Sequence, residues 1–369
     1  MQFKRKFIFT LQIHTTEMIK YSTQINTNIF IVFILMSVYN CNVSNSKPSF
    51  AEEPLFRKNL ISGVNMEAPP NPVDSTCFTN MHRIGAKWVS IIPFAFSRQG
   101  QTTVQYNADR QWWGEREEGI VACIQLAHAA NMRVMLKPQL WIGGGVYTGH
   151  FKCDTDSAWR GWEKNYLKYI LHNAIIAENN HADLLCIGTE MDAAVKERPL
   201  FWSNLIDTVK KIYKGEITYA ANWGCFKEFT SWEKLNYIGI DAYFPLSNAI
   251  TPTVDELLNG WQPHYTDIQA FTELKKKPIL FTEYGYRSMD KCAEEPWLSN
   301  NTGTVNMQAQ QNAYEALYKK FIPQSWFAGG FLWKWHVYDL KAGGLANNNY
   351  TPQNKPVELT IKNWYNIEN

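Results

Sequence analysis

Short apolar runs recur between residues 60 and 335, each too short for a helix, and two of them carry glutamates 93 residues apart: LLCIGTE at 184–190 and PILFTEYGY at 278–286. Runs of this kind read as strands buried on both faces of a parallel sheet. A barrel of about 250 residues with eight strand–helix units takes about 31 residues per unit, so the interval between Glu190 and Glu283 corresponds to three units. These observations predict an α/β chain, a single-domain (β/α)8 barrel of the TIM type, with the two glutamates ending strands four and seven. Both carboxylates then lie at the C-terminal mouth, facing each other across one cleft.

The first strand is read at residues 60–65 (LISGVN), followed by a Pro-rich loop, APPNPVD, and a short helix to about Ile84. The second is 88–93. A long loop through Tyr106 and Trp113 leads to a helix over 115–131, whose apolar face is formed by Ile120, Ile124, Leu126 and Ala127. Strand three is 133–138, and its loop, WIGGGVYTGH, is long and Gly-rich, a place where binding surfaces are built. A helix over about 157–179 precedes strand four. Pro199 suits the first turn of the next helix, which runs to Tyr213 with Phe201, Leu205, Ile206 and Val209 as its apolar stripe. Strand five is 216–221, strand six 237–243, strand seven 279–283 and strand eight 330–335. An open doubly wound sheet is the competing architecture, but it calls for a Gly-rich phosphate loop after strand one, and APPNPVD is not one.

The chain has 369 residues, 45% of them hydrophobic, with a net charge of +2. So small a charge excess, dispersed along the chain, offers no footprint for a polyanion, and nucleic acid is excluded as an expected partner. Between Leu60 and Trp335 nothing resembles a linker or repeat, so residues 51–369 are read as one catalytic domain. Residues 1–50 differ in kind. Ile29 to Val38 is an apolar run of signal-peptide length, followed by Cys41 and a polar tract, NVSNSKPS. It looks like a lipoprotein signal in which Cys41 is lipidated, although Asn40 stands where a small residue is usual; an ordinary secretory signal cleaved nearby is the other reading. Either implies export, with membrane contact only through an N-terminal lipid anchor. Of the other cysteines, Cys123 and Cys186 read as apolar core residues, while Cys77, Cys153, Cys225 and Cys292 follow strands and admit no assigned pairing. No spacing resembles a zinc site.

Paired carboxylates across a cleft are what glycoside cleavage requires, and the 15 Trp and 18 Tyr supply flat faces for sugar rings beyond what packing demands. The stretches GVNMEAPP, MLKPQLWI, CIGTEM, YIGIDAYFP, PILFTEYGYRS and GGFLWKWH, in this order from residue 60 to 336, resemble glycoside hydrolase family 113 of clan A. The resemblance implies retaining hydrolysis of β-1,4-mannan or a related β-linked glycan, with no metal or organic cofactor. It implies Glu283 as nucleophile, Glu190 as general acid and then base, and Tyr243 as the tyrosine that hydrogen-bonds the nucleophile. In a retaining site the carboxyl groups lie about 5 Å apart, and an ionised Glu283 raises the pKa of Glu190.

By strand parity Phe331, Trp333 and Trp335 all point inward, with the tryptophans at the mouth as a sugar platform. Asn222 and Trp223 after strand five, and Lys137 and Gln139 after strand three, stand at the right ends to bind substrate hydroxyls, and Asp241 can support the mouth. Trp112, Trp113, Trp141 and His150 on the long loops are more remote candidates. The clan places an asparagine before the acid/base, for the sugar 2-hydroxyl; here it is Thr189, which passes that contact to another group such as Asn222 and loosens the inference to mannose. The clan arginine beside the nucleophile is also missing from strand two. Other readings are the same mechanism on xylan, glucan or a galactoside, or a glycan-binding lipoprotein without catalysis. The chain is expected to be a monomer with a carbohydrate substrate.

Overall fold

Eight parallel strands close on themselves in the computed structural model, which describes residues 60–299 and 302–367. The export segment and Cys41 lie outside the described residues. In chain order the strands are β1 (Ile61–Met66), β2 (Trp88–Ile91), β3 (Phe94–Ser97), β4 (Arg133–Leu136), β5 (Gln139–Ile142), β6 (Leu184–Thr189), β7 (Glu216–Asn222), β8 (Ile238–Asp241), β9 (Ile279–Tyr284) and β10 (Phe327–Trp335). The barrel order is β1-β10-β9-β8-β7-β6-β4-β2, so each predicted strand takes its expected place. Two extra strands, β3 and β5, pair with each other in parallel beyond the ends of β2 and β4.

The helices are α1 (Thr76–Thr79), α2 (Glu117–Ala129), α3 (Asp156–Asn179), α4 (Asp192–Glu197), α5 (Pro199–Ile212), α6 (Val254–Lys275), α7 (Met307–Phe321) and α8 (Val357–Tyr365). Alternation fails once: β7 and β8 are joined by a single 3-10 turn, Trp232–Lys234. Its buried Trp232 packs at a tilt against Tyr219 and Phe229 and covers the strands where a helix would. Among the described residues no helix is long and apolar enough to cross a membrane.

Two layers of apolar packing hold the barrel. Inside, Ile61, Trp88, Met135, Leu184, Cys186, Leu280 and Phe331 form one cluster, with the Trp88 and Phe331 rings edge to face at 6.2 Å. Phe331 fills the lumen so fully that a Cβ on Gly63 would lie 2.3 Å from its ring, which requires glycine there. Outside, the opposite faces of the same strands pack under the helices, which is why the strands read as continuous apolar runs.

Strand alternation breaks near the mouth. The β6·β7 ladder shifts between Cys186 and Thr189, the β8·β9 ladder between Ile240 and Asp241, and the β1·β10 ladder between Asn65 and Met66. Such irregularities re-aim the side chains that follow. Trp333 pairs with Asn65 but Trp335, not Lys334, pairs with Met66, so the tryptophans do not share a face. Trp335 has no exposed surface and packs into the outer core, with the Arg83 guanidinium 5.7 Å from its ring centroid. The expected place of Trp335 at the mouth is thus corrected.

Candidate active site

Glu283, near the end of β9, is 7% exposed and both its oxygens are engaged. Oε1 accepts from the Lys137 ammonium and from Gln139 Nε2 at 2.9 Å; Oε2 accepts from Tyr243 Oη at 2.9 Å. Lys137 and Gln139 bracket Pro138 between β4 and β5, and Tyr243 follows β8, so two separate chain segments converge on one carboxylate. Its role in all three contacts is that of an acceptor, as befits an ionised carboxylate.

Behind it lies Asp241, whose Oδ1 accepts from Thr282 Oγ1 at 2.7 Å and from Lys137 Nζ at 3.4 Å. Burial and the charge of Glu283 push the Asp241 carboxyl up to about 7, against the pull of Lys137 and Thr282. For Lys137, burial works against the proton, but the attraction of Asp241 and Glu283 outweighs it and the pKa is raised. Lys137 has no exposed surface. It braces the two carboxylates and does not reach substrate, which corrects the expectation that it binds sugar hydroxyls.

Glu190 stands one residue beyond β6 in the left-handed region, φ +49, and its N–H donates to the Ala220 carbonyl at 2.8 Å. Its Oε1 accepts from Asn222 Nδ2 at 2.9 Å. The Asn222 amide is fixed in turn: Oδ1 accepts from the Gly224 N–H at 2.9 Å, and Nδ2 also donates to Tyr147 Oη at 2.9 Å. Tyr147 donates to Asp192 Oδ2 at 3.1 Å. Burial holds the Glu190 carboxyl well above the usual range, the charges of Asp241, Glu283 and Asp192 add to this, and the Asn222 bond opposes it. Burial likewise raises Asp192, and raises Tyr147 with help from the Glu190 and Asp192 charges.

The two glutamates therefore differ in kind. One is gripped by a cation, an amide and a phenol; the other has a neutral amide and sits in the field of three acids, Asp241, Glu283 and Asp192. Such environments separate a carboxylate from a carboxylic acid at one pH.

Trp223, after β7, is half-buried and stacked on Trp297, centroids 5.3 Å apart, while leaning on Phe244 at 5.6 Å. Trp333 is half-buried at the end of β10, with Lys334 Nζ 5.7 Å from its ring centroid. Thr189 is buried, and its hydroxyl has no protein partner among the described residues. Trp113 is half-buried, Trp112 and Trp141 are exposed, and His150 stands edge-on to Tyr147 at 5.2 Å. Tyr147 and Asp192 were not anticipated as site residues. Tyr147 belongs to the Gly-rich loop already marked as a binding surface, and Asp192 follows Glu190 by two residues. A third unanticipated group is Glu67, whose carboxylate holds Lys334 at 2.8 Å and His336 Nδ1 beyond β1 and β10. Cys77, Cys123, Cys153, Cys186, Cys225 and Cys292 are all free thiols. Among the described residues no group of three or more His, Cys, Asp or Glu side chains is placed to hold a metal ion.

Among solved structures, a GH113 β-1,4-mannanase in a complex superimposes with a TM-score of 0.75 at 24% identity, over 84% of this chain and 99% of that one. The GH113 β-mannanase AaManA from Alicyclobacillus acidocaldarius, in complex with ManMIm, gives 0.75 at 22% identity over 85% and 99%. The β-glucuronidase of Ruminococcus gnavus gives 0.58 at 11% over 84% and 50%. At these identities the likeness is one of fold. No functionally curated protein matches the chain. A sequence profile, Glycoside Hydrolase Family 113, matches residues 71–355, from the loop after β1 to the segment before α8. The chain belongs to glycoside hydrolase family 113.

Proposed function

We propose that this family 113 glycoside hydrolase cleaves β-1,4-mannan-type poly- or oligosaccharides with retention of anomeric configuration. Glu283 attacks the anomeric carbon as Glu190 gives its proton to the glycosidic oxygen, which leaves as an alcohol; a glycosyl ester on Glu283 results. Water then loses a proton to Glu190 and attacks the same carbon, freeing the Glu283 carboxylate. Esterification removes the Glu283 charge, one of the causes that raise Glu190, so the acid of the first step becomes the base of the second. The unequal surroundings of the two glutamates carry this reading: Lys137, Gln139 and Tyr243 on Glu283, and Asn222 alone on Glu190. Mannan is chosen because family 113 structures that share this fold are β-mannanases.

The experiment is Glu283→Ala assayed on mannan and on an activated aryl β-mannoside, with and without azide. Loss of hydrolysis, with azide returning an α-mannosyl azide from the activated substrate, supports the assignment. A fully active variant overturns it. Xylan, glucan and galactoside substrates assayed beside mannan test the choice of sugar separately from the mechanism.

A further inference from the structure

The β2·β4 ladder does not stop at the barrel rim. Lys137 N–H bonds to the Ile91 carbonyl, Gln139 N–H to Pro93 and Gly143 N–H to Ser97, each at 2.9 Å, so the ribbon of β3 and β5 carries it outward. Phe94 pairs with Gln139 and Phe96 with Trp141. One face of this ribbon, Ala95, Ser97, Leu140 and Ile142, is buried, and the other presents Phe94, Gln139, Phe96 and Trp141. Gln139 on that second face bonds to Glu283. Trp141, two residues further and about 7 Å along the strand, therefore lies on a surface that begins at the catalytic carboxylate.

Phe96 and Trp141 of this surface line an open groove of about 880 Å³, together with Trp112 and Arg110. Three large aromatic side chains stand in solvent there: Phe96 is 36%, Trp112 48% and Trp141 54% exposed. The Trp141 ring is held by edge contact with Phe94 at 6.3 Å. Arg110 is fixed by Gln105, its Nη2 2.6 Å from the amide oxygen. Packing does not explain three aromatic rings left in water along one groove. Flat rings separated by amide and guanidinium donors suit pyranose rings, whose C–H faces stack on aromatic faces while their hydroxyls accept hydrogen bonds. The volume exceeds one sugar ring and falls in the range of pockets that hold ligands of several rings.

We propose that this groove is a distal binding site for the glycan being cleaved, taking backbone hexose units several residues from the scissile bond and so favouring long chains over short ones. The inference rests on the assignment of the chain as a glycan hydrolase acting at Glu190 and Glu283.

The test uses Trp112→Ala and the pair Trp112→Ala/Trp141→Ala in the full-length protein. For each, kcat/KM is measured on polymeric mannan and on an aryl β-mannobioside. The same substitutions in a Glu283→Gln background are run through native gels containing mannan. The ratio of polymer to short-substrate activity is expected to fall by about five-fold or more, the size of one lost aromatic contact, with loss of gel retardation. An unchanged ratio with unchanged retardation overturns the proposal, as does an equal loss on both substrates. Wild-type protein that hydrolyses none of the glycans defeats the proposed function instead; retardation by mannan that depends on Trp112 still upholds the groove, and its absence rejects it.

Discussion

Lys137 places its fully buried ammonium on Glu283 Oε1, the oxygen that also receives Gln139. Strand two lacks the arginine expected beside the proposed nucleophile, and this lysine, arriving from the end of β4, supplies a positive charge in its place. Without it Glu283 and Asp241 would face each other inside the barrel mouth with hydroxyl and amide donors but no cation. Lys137→Met is therefore expected to lower kcat/KM by about 100-fold or more and to cost about 3–5 kcal/mol of stability, as when one partner of a buried ion pair is removed. Steady-state kinetics and chemical denaturation check the two effects. Wild-type kinetics in the variant would show that the contact is structural only.

Asn222 acts on the other carboxyl. Its hydrogen bond lowers the Glu190 pKa against burial and the charges of Asp241, Glu283 and Asp192. Asn222→Ala removes it, so the Glu190 pKa rises further. In the proposed mechanism Glu190 must be protonated in the glycosylation step, so the basic limb of the kcat/KM profile reports its loss of that proton in the free enzyme. That limb is expected to move to higher pH, with the plateau lowered by about 10-fold because the carboxyl loses its fixed partner. A profile measured on an aryl glycoside tests this; an unmoved or acid-shifted limb contradicts it.

The site was legible where chemistry and strand position coincide. Glu190 and Glu283 end apolar runs, and parallel strands buried on both faces cannot hide their length. The ribbon of β3 and β5 escaped notice because four-residue strands directly after Pro93 and Pro138 are too short to stand out from the long loops in which they lie. Lys137 read as a sugar ligand because a lysine at a strand end is ordinarily solvated, and only the fold brings two acids to it. Tyr147 could not be placed from a loop with three consecutive glycines, Gly143 to Gly145, whose path the sequence leaves open. Inward and outward positions were misread where the ladders shift, since one irregular residue reverses all that follows.

Glu67 bears on acid stability. Burial works against its ionised form, but the hydrogen bonds of His336 and Lys334 prevail and bring its pKa down from 4.5 to about 2. A carboxyl depressed on folding stabilises the native state above its unfolded pKa, and this stabilisation is lost as pH falls through the folded value. The unfolded chain binds the proton first, so the loss begins near pH 4.5 and runs toward pH 2. Glu67→Gln is accordingly expected to lower Tm most at pH 6, with the difference from wild type narrowing steadily by pH 3. Melting curves at pH 6, 4.5 and 3 decide it; a gap that is constant or widens toward acid is inconsistent with a depressed Glu67.

Trp333 and Trp335 are two residues apart and should fail in opposite ways. The register shift beside Lys334 leaves Trp333 half-buried at the mouth and turns Trp335 into the outer core beneath Arg83. Trp335→Ala removes a fully buried indole and is expected to destabilise the fold by about 3–5 kcal/mol, the cost of an unfilled core cavity. Trp335→Phe, which keeps most of the volume, should retain near-normal kcat/KM because the side chain faces away from the cleft. Trp333→Ala should do the reverse, losing about 10-fold or more in kcat/KM while its Tm stays close to wild type, since a half-exposed ring contributes less to packing than to a sugar placed against it. Denaturant titration and kinetics on the three variants separate the roles. If Trp335→Phe loses activity while remaining as stable as wild type, Trp335 faces the cleft after all and the alternation is unbroken through β10.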